Sequence, residues 1–173
     1  MCELKIGVFM KYLVFSDSHR KTLGMLEVIE RSLSGLKGVI FLGDNYDDTE
    51  IIRQKYPRLD VYAVAGNCDA SPLYRTPDYL ERTAVFDGVR VLMVHGHAHG
   101  VKWGLGELEA YAKRKGIDVV LFGHTHERYE SYRDGVYLFN PGSASEPRDG
   151  TASFGVLTVQ NGQVLLSHGD VWI

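Results

Sequence analysis

The chain has 173 residues, 45% of them hydrophobic and 24% charged, which is typical of a soluble globular protein with a substantial buried core. It carries 19 Lys and Arg against 22 Asp and Glu and has no basic cluster, so it lacks the electrostatic footprint of a nucleic-acid-binding protein. No apolar run approaches the roughly 20 residues of a membrane span, and we expect no membrane partner.

The two cysteines, Cys2 and Cys68, are too few for a disulfide framework, and we expect a cytoplasmic protein. The N-terminus lacks the apolar core and small-residue cleavage site of a signal peptide. Met10 directly precedes the first clear strand pattern. Residues 1–9 are therefore either an extension upstream of a natural start at Met10 or a genuine leading segment, and the sequence leaves both open.

Strand and helix patterns alternate through the first two thirds of the chain. The predicted order is strand 11–15, helix 22–33, strand 38–43, helix 47–56, strand 60–66, hairpin 83–96, helix 105–116, strand 117–123, and hairpins 129–140 and 154–168. The hairpins turn at Asp-Gly or Asn-Gly pairs, whose residues tolerate the left-handed backbone of tight turns. The order predicts an α/β fold that forms a single domain over residues 1–173.

Polar side chains follow five of the predicted strands, each at the point where its strand ends. In open α/β sheets, ligands bind beyond the carboxyl ends of the strands, so we expect these groups to converge at one edge. In chain order they are Asp17 and His19, Asp44, Asn67, His95 and His97, and His124 and His126.

The set combines carboxylates, imidazoles and an amide without a thiolate cluster, which suits Mn²⁺, Fe, Co²⁺, Ni²⁺ or Zn²⁺. There are more ligands than one ion needs, and two ions about 3.5–4 Å apart, bridged by a carboxylate, would use them. Taken singly, each pair is an ordinary turn or cap. Their joint occurrence at successive strand ends predicts a dinuclear metal site.

These blocks, in this order, resemble the calcineurin-like metallophosphoesterases. Within that superfamily the chain is most similar to the small YfcE-type phosphodiesterases, which are related to the retromer subunit of the same fold. The resemblance covers nearly the whole chain from Met10. It is carried by "DSH" at 17–19, "GDNYDD" at 43–48, "GNCD" at 66–69, "HGH" at 95–97, "GHTH" at 123–126, and "NPGS" at 140–143 with Pro147 and Arg148.

The resemblance implies a four-layer αββα sandwich of two mixed β-sheets flanked by helices. It implies two divalent ions, Mn²⁺ first, with Ni²⁺, Zn²⁺, Fe or Co²⁺ as alternatives. The first metal would be held by Asp17, His19 and His126, the second by Asn67, His95 and His124, and Asp44 would bridge both. Asp48 and Asp69 would orient ligands or close turns.

The resemblance also implies hydrolysis of a P–O ester by metal-bound hydroxide, with Asn67 contacting the phosphate. Many superfamily members have a histidine, thought to protonate the leaving group, where this chain has Cys68. We expect Cys68 to be a small, fairly buried space-filling residue rather than a catalyst. The enzyme would then favour good leaving groups, or His97 or His99 would lend the proton. His168, Arg148 and the turn at 140–143 are interpreted as structural.

The leading prediction is a metal-dependent phosphodiesterase acting on a small phosphoester. The alternatives are a phosphomonoesterase, a protein-interaction scaffold like the retromer subunit, and a passive metal-binding protein. All seven expected ligand positions keep metal-competent side chains, which argues against the scaffold, and the lack of a flexible His-rich tract argues against passive binding. An edge strand near the C-terminus could pair with a second copy, so a homo-oligomer is left open.

Overall fold

The computed structural model of the protein describes residues 9–172. Cys2 and all but Phe9 of the proposed N-terminal extension lie outside these residues. The elements are β1 (Met10–Phe15), α1 (Leu23–Ser32), β2 (Leu36–Phe41), α2 (Asp48–Lys55), β3 (Asp60–Ala63), α3 (Pro77–Leu80), β4 (Glu81–Phe86), β5 (Val89–Val94), α4 (Gly106–Arg114), β6 (Val119–Leu121), β7 (Arg128–Arg133), β8 (Val136–Pro141), β9 (Ser153–Gln160) and β10 (Gln163–Asp170).

The strands form two five-stranded sheets, the first in the order β10-β9-β1-β2-β3 and the second in the order β4-β5-β6-β8-β7. In the first sheet β1, β2 and β3 run parallel, β9 pairs antiparallel with β1, and β10 pairs antiparallel with β9. In the second sheet β5, β6 and β8 run parallel between antiparallel β4 and β7. Both sheets are therefore mixed, and each keeps three parallel strands whose carboxyl ends lie together.

The layers follow from the alternation of side chains along buried strands. In β1, Tyr12 and Val14 enter the core between the two sheets, while Leu13 and Phe15 pack on the opposite face against α1 and α2. On α1 the buried Met25, Val28 and Ile29 have the i, i+3, i+4 spacing of one helix face.

The second sheet is covered in the same way. Met93 of β5 and Leu121 of β6 point into the core between the sheets, whereas Leu92 and Val120 contact Leu108 and Ala112 of α4. The order of layers is helix, sheet, sheet, helix, which confirms the predicted αββα sandwich.

The predicted helices, strands and three hairpins are all present, with small changes of boundary. The strand expected at 117–123 is shorter, Val119–Leu121, and the loop after β3 holds two helical turns that the sequence analysis did not predict, Pro72–Arg75 and α3. Within residues 9–172, no helix combines the length and apolar character needed to cross a membrane.

The carboxyl ends of the two sets of parallel strands meet at one edge of the sandwich. Nδ1 of His95, which follows β5 in the second sheet, lies 2.7 Å from the carbonyl oxygen of Leu42, which follows β2 in the first. The backbone N–H of His124, after β6, donates to Oδ2 of Asp17, after β1, at 3.1 Å. The predicted convergence is therefore observed.

Candidate metal centre

Four of the predicted metal ligands form a tight cluster. Asp17, His19, Asp44 and His126 each offer one ligand atom, and these atoms all lie within 4.8 Å of one another. His126 Nε2 lies 3.1 Å from Asp17 Oδ1 and 3.3 Å from His19 Nε2. These are the three residues expected for the first metal together with the expected bridge.

The residues expected for the second metal lie on the other side of Asp44. His95 Nε2 is 3.1 Å from Asn67 Oδ1 and 3.4 Å from Asp44 Oδ1. The rings of His95 and His124 are 5.0 Å apart between centroids. The other oxygen of Asp44, Oδ2, is 3.9 Å from His19 Nε2. Asp44 thus presents one oxygen to each group, the placement a bridging carboxylate needs.

Two of the histidines are oriented by backbone carbonyls. His126 Nδ1 donates to the Glu146 carbonyl at 2.8 Å, and His95 Nδ1 donates to Leu42. This fixes the tautomer and turns each Nε2 lone pair toward the cluster. The contribution of Glu146 has no signal in the sequence, because any residue type can supply a backbone carbonyl.

Asp17 is fully buried, and its Oδ1 has no hydrogen-bond donor among the described residues. In the neutral tautomer that donates to Glu146, His126 Nε2 faces this oxygen lone pair to lone pair. Such a contact is repulsive unless a proton or a cation lies between the two atoms. A divalent cation would satisfy both, so the donor set fits a metal ion.

The charge states of the site also suit divalent cations. Burial opposes ionisation of Asp17, but a proton held between its Oδ1 and His126 Nε2, together with the charge of His95, outweighs burial and lowers the pKa of that carboxyl. Burial, the neighbouring His95 and the cation of Lys102 lower the pKa of His124 to about 4. The site therefore offers an ionised carboxylate and a neutral imidazole at neutral pH, as Mn²⁺ to Zn²⁺ require.

The predicted ligands share an uncommon backbone conformation. Five of them have left-handed φ angles: Asp17 (54°), His19 (44°), Asp44 (59°), His124 (70°) and His126 (62°). A non-glycine residue in this region costs of order 1–3 kcal/mol and persists only where surrounding contacts hold it. Such residues concentrate at functional sites, and here they coincide with the cluster.

Two glycines bring the ligand loops together. A Cβ on Gly66 would collide with Oδ1 of Asp44, and a Cβ on Gly123 would collide with the hydroxyl of Ser16, which donates to Asp17 Oδ2 at 2.5 Å. Because neither position has room for a side chain, the "GN" and "GH" of the motifs are required by close packing around the carboxylates.

Asp48 and Asp69 hold these loops in place, as expected. Asp69 is buried and accepts three backbone N–H bonds, from Gly66 at 2.6 Å, Tyr46 at 2.7 Å and Asn45 at 3.1 Å. Asp48 accepts from the Ser18 hydroxyl at 2.6 Å and from the Arg20 backbone at 3.1 Å. Each carboxylate supports backbone next to a candidate ligand.

The prediction for Cys68 is wrong in one respect, because the residue is exposed rather than buried. Its backbone N–H donates to Asp44 Oδ1 at 2.9 Å, so the position serves the bridging carboxylate through the main chain. Partial shielding of Sγ and the adjacent Asp44 raise the pKa of the thiol to about 11. The sulfur is therefore a protonated thiol at neutral pH, which is a poor nucleophile.

The remaining histidines separate into three environments. The half-buried His97 ring lies 5.4 Å from that of His95 and 6.1 Å from that of His124, and its Nδ1 has no hydrogen-bond partner among residues 9–172. His99 instead faces Tyr111 of α4 at 5.1 Å. His168 stacks on Phe139 at 4.4 Å, away from the ligand cluster. Of the two proposed proton donors, only His97 borders the cluster.

The family model of the calcineurin-like phosphoesterase superfamily domain matches residues 10–162. This chain belongs to that superfamily. It is 33% identical over 155 residues to the probable metallophosphoesterase YsnB of Bacillus subtilis, covering 88% of this chain and 86% of the relative. It is also 33% identical over 172 residues to the phosphodiesterase YfcE of Escherichia coli, covering 86% of this chain and 87% of the relative.

A solved structure of vacuolar protein sorting 29 from Cryptosporidium parvum superposes with a TM-score of 0.70 at 19% identity, covering 95% of this chain and 98% of that one. At this identity the likeness concerns the fold alone. The superfamily expected from the sequence motifs is confirmed, and the chain is a phosphoesterase-family protein with a cluster of Asp and His residues able to hold metal.

Proposed function

We propose that this phosphoesterase is a dinuclear metal-dependent phosphodiesterase that acts on a small phosphoester. The observation that carries the proposal is the placement of Asp44, whose two oxygens face two separate groups of nitrogen and oxygen ligands. A single bound ion would leave one of those groups without a function. The phosphodiesterase name of a relative that aligns over most of both chains supports the choice of a diester substrate.

The side chains have distinct proposed roles. Asp17, His19 and His126 hold one ion, Asn67, His95 and His124 hold the other, and Asp44 holds both. When bound, two such ions would supply a water-derived nucleophile at neutral pH and neutralise charge on the phosphoryl group. We propose Mn²⁺ as the native ion, with Ni²⁺, Zn²⁺, Fe or Co²⁺ as alternatives.

Asn67 and His97 are the residues we place against the phosphoryl group. The Asn67 side chain is exposed, and its Oδ1 lies beside His95. Its amide Nδ2 lies 3.4 Å from Cys68 Sγ and can donate to a phosphate oxygen that approaches from the solvent. Within the part of the chain that the structure describes, His97 is the one imidazole outside the ligand set that borders the cluster. Its proposed role is to donate to the leaving oxygen.

The test compares bis-p-nitrophenyl phosphate with p-nitrophenyl phosphate. Metal-stripped protein is reloaded with Mn²⁺, Ni²⁺, Zn²⁺ or Mg²⁺, beside Asp44→Ala and the control Asp134→Ala. Asp134 also has a left-handed φ, at 49°, but lies in an exposed turn between β7 and β8. Removing the bridge should cost several kcal/mol of transition-state stabilisation, about 10³-fold or more in rate, and the control should keep wild-type turnover.

Dominant turnover of the monoester would make the protein a phosphomonoesterase instead. No turnover with any metal, despite bound ions, would favour an interaction scaffold of the same fold. Retained diester turnover in Asp44→Ala would reject the two-metal site.

A further inference from the structure

The segment that follows β8, residues 140–148, contacts both halves of the candidate metal centre. It begins at Asn140, whose side chain is fully buried. The amide Nδ2 donates to the Gly123 carbonyl at 3.0 Å and to the Thr125 hydroxyl at 3.0 Å, and Oδ1 accepts from the Gly142 backbone at 2.9 Å. Gly123 and Thr125 flank His124, so Asn140 fixes the loop that presents His124 and His126.

Ser143 makes the corresponding contacts on the other side. Its buried hydroxyl donates to the Asp17 carbonyl at 2.8 Å and accepts from the Glu146 backbone at 2.8 Å. The Ser145 hydroxyl also donates to the Asp17 carbonyl, at 3.2 Å, and Ala144 N–H donates to the Ser16 carbonyl at 2.9 Å. The segment therefore holds the backbone of Asp17, which follows β1 of the first sheet.

The position of Asn140 is itself fixed from the first sheet. His168 of β10 donates from Nε2 to the Asn140 carbonyl at 2.8 Å, and its ring stacks on Phe139. The segment is thus tied to both sheets and joins ligands that come from different sheets. This gives His168 a defined contact in place of the general structural role expected from the sequence.

A turn that only closed β8 would need backbone hydrogen bonds and no buried polar side chains. Here the buried polar side chains of Asn140 and Ser143 instead form hydrogen bonds with loops that carry ligands in left-handed conformations. Leaving such a buried group unpaired carries a free-energy cost of the same order as that of holding a left-handed ligand loop, so losing the bond can release the loop. These hydrogen bonds therefore help to hold the ligand loops in their left-handed conformations.

We propose that Asn140 and Ser143 are positioning residues that set metal affinity. Ser143 acts on the first metal position through Asp17, and Asn140 acts on both positions through His124 and His126. This inference rests on the metal ligands of the proposed function, and its test measures metal binding rather than turnover.

The test is Mn²⁺ titration of metal-stripped protein, with free Mn²⁺ followed by electron paramagnetic resonance. Ser143→Ala should weaken one of two binding steps about 10–100-fold, the usual effect of removing a group that orients a metal ligand. Asn140→Ala should weaken both steps.

The matched control is Ser153→Ala. Ser153 is equally buried, and its hydroxyl donates to the Pro141 carbonyl of the same segment at 2.7 Å without touching a ligand loop. It should bind Mn²⁺ as the wild type does. Ser145→Ala is a milder variant at a half-buried position that removes a bond to the same Asp17 carbonyl, so the test stands if Ser143→Ala does not fold.

The outcomes separate the inference from the proposed function. A wild-type protein that binds fewer than two ions contradicts the dinuclear site itself. If the wild type, Ser143→Ala and Ser145→Ala all bind two ions with equal affinity, only the positioning role is overturned. Equal weakening in Ser143→Ala and Ser153→Ala also overturns it, because the effect would then be general loosening of the segment.

Discussion

The two ends of the sandwich use the same left-handed backbone region for different purposes. At the end away from the candidate metal centre, Asp87, Asp134 and Asn161 have positive φ angles, and a glycine follows each of them in a tight hairpin turn. At the other end, positive φ angles occur at aspartates and histidines that are candidate metal ligands. One end is shaped by local turn chemistry, and the other is held by contacts from distant parts of the chain.

The difference lies in what holds each conformation. Asp-Gly and Asn-Gly pairs adopt left-handed angles readily, so the hairpin turns need no support from elsewhere. His124 is followed by Thr125 rather than by a glycine, and its loop is held by Asn140. We therefore expect substitutions of the residues that hold the ligand loops to impair metal binding and activity, and substitutions in the hairpin turns to affect stability alone.

The largest effect is expected from glycine-to-alanine exchange at the two ends. In Gly66→Ala the new methyl would collide with Asp44 Oδ1, displacing the bridging carboxylate, and diester turnover should fall about 10³-fold. In Gly135→Ala the methyl meets nothing within 4 Å, and the φ of 86° costs about 1–2 kcal/mol of stability with turnover unchanged. Kinetics and thermal unfolding of both variants test the contrast, which equal turnover in the two would contradict.

A second effect separates two histidines that are close in sequence. His97→Ala should lower turnover of an alkyl phosphodiester about 10²-fold, the lower range for loss of a general acid, and spare an aryl diester with a good leaving group. His99→Ala should leave both unchanged, because its ring faces Tyr111. Full alkyl turnover in both variants would instead support an enzyme that lacks a side-chain acid and depends on good leaving groups.

A smaller effect is expected from Asp69→Asn. The carboxylate accepts three backbone N–H bonds, and the amide nitrogen of asparagine cannot accept any of them, so the ligand loops should loosen. Mn²⁺ affinity should fall about tenfold. The matched control is Asp118→Asn at the turn end, where an exposed carboxylate accepts one N–H from Arg90 at 2.7 Å and Mn²⁺ affinity should not change. An unchanged affinity in Asp69→Asn would show that the loops hold themselves.

The smallest effect is expected at Cys68. Its side chain is exposed, and its contribution to Asp44 comes from the backbone, so Cys68→Ser should keep diester turnover within about twofold of wild type. Steady-state kinetics with Mn²⁺ decides the point. A loss of 100-fold or more would place the thiol in the chemistry.

Much of this architecture follows from sequence pattern. The alternation in β1 and the spacing of Met25, Val28 and Ile29 identify strand and helix, and the Asp-Gly and Asn-Gly pairs identify the hairpins. The convergence of Asp17, Asp44 and His95 follows from the rule that polar groups gather at the carboxyl ends of parallel strands.

Contacts between distant segments were beyond sequence reasoning. Neither the exposure of Cys68 nor the bonds from Asn140 to Gly123 and Thr125 leaves a local signal, because both depend on how loops from two sheets pack. The single-domain organisation, the cytoplasmic location and the pairing of copies stay predictions.

The most direct test of the dinuclear phosphodiesterase counts ions and turnover together. Mn²⁺ is titrated into metal-stripped protein while bound ions per chain and hydrolysis of bis-p-nitrophenyl phosphate are measured in the same samples. Because the two oxygens of Asp44 face two different groups of ligands, we expect two bound ions per chain, with turnover rising as the second ion binds. Turnover that is complete with one ion bound, or absent with two, would contradict the account.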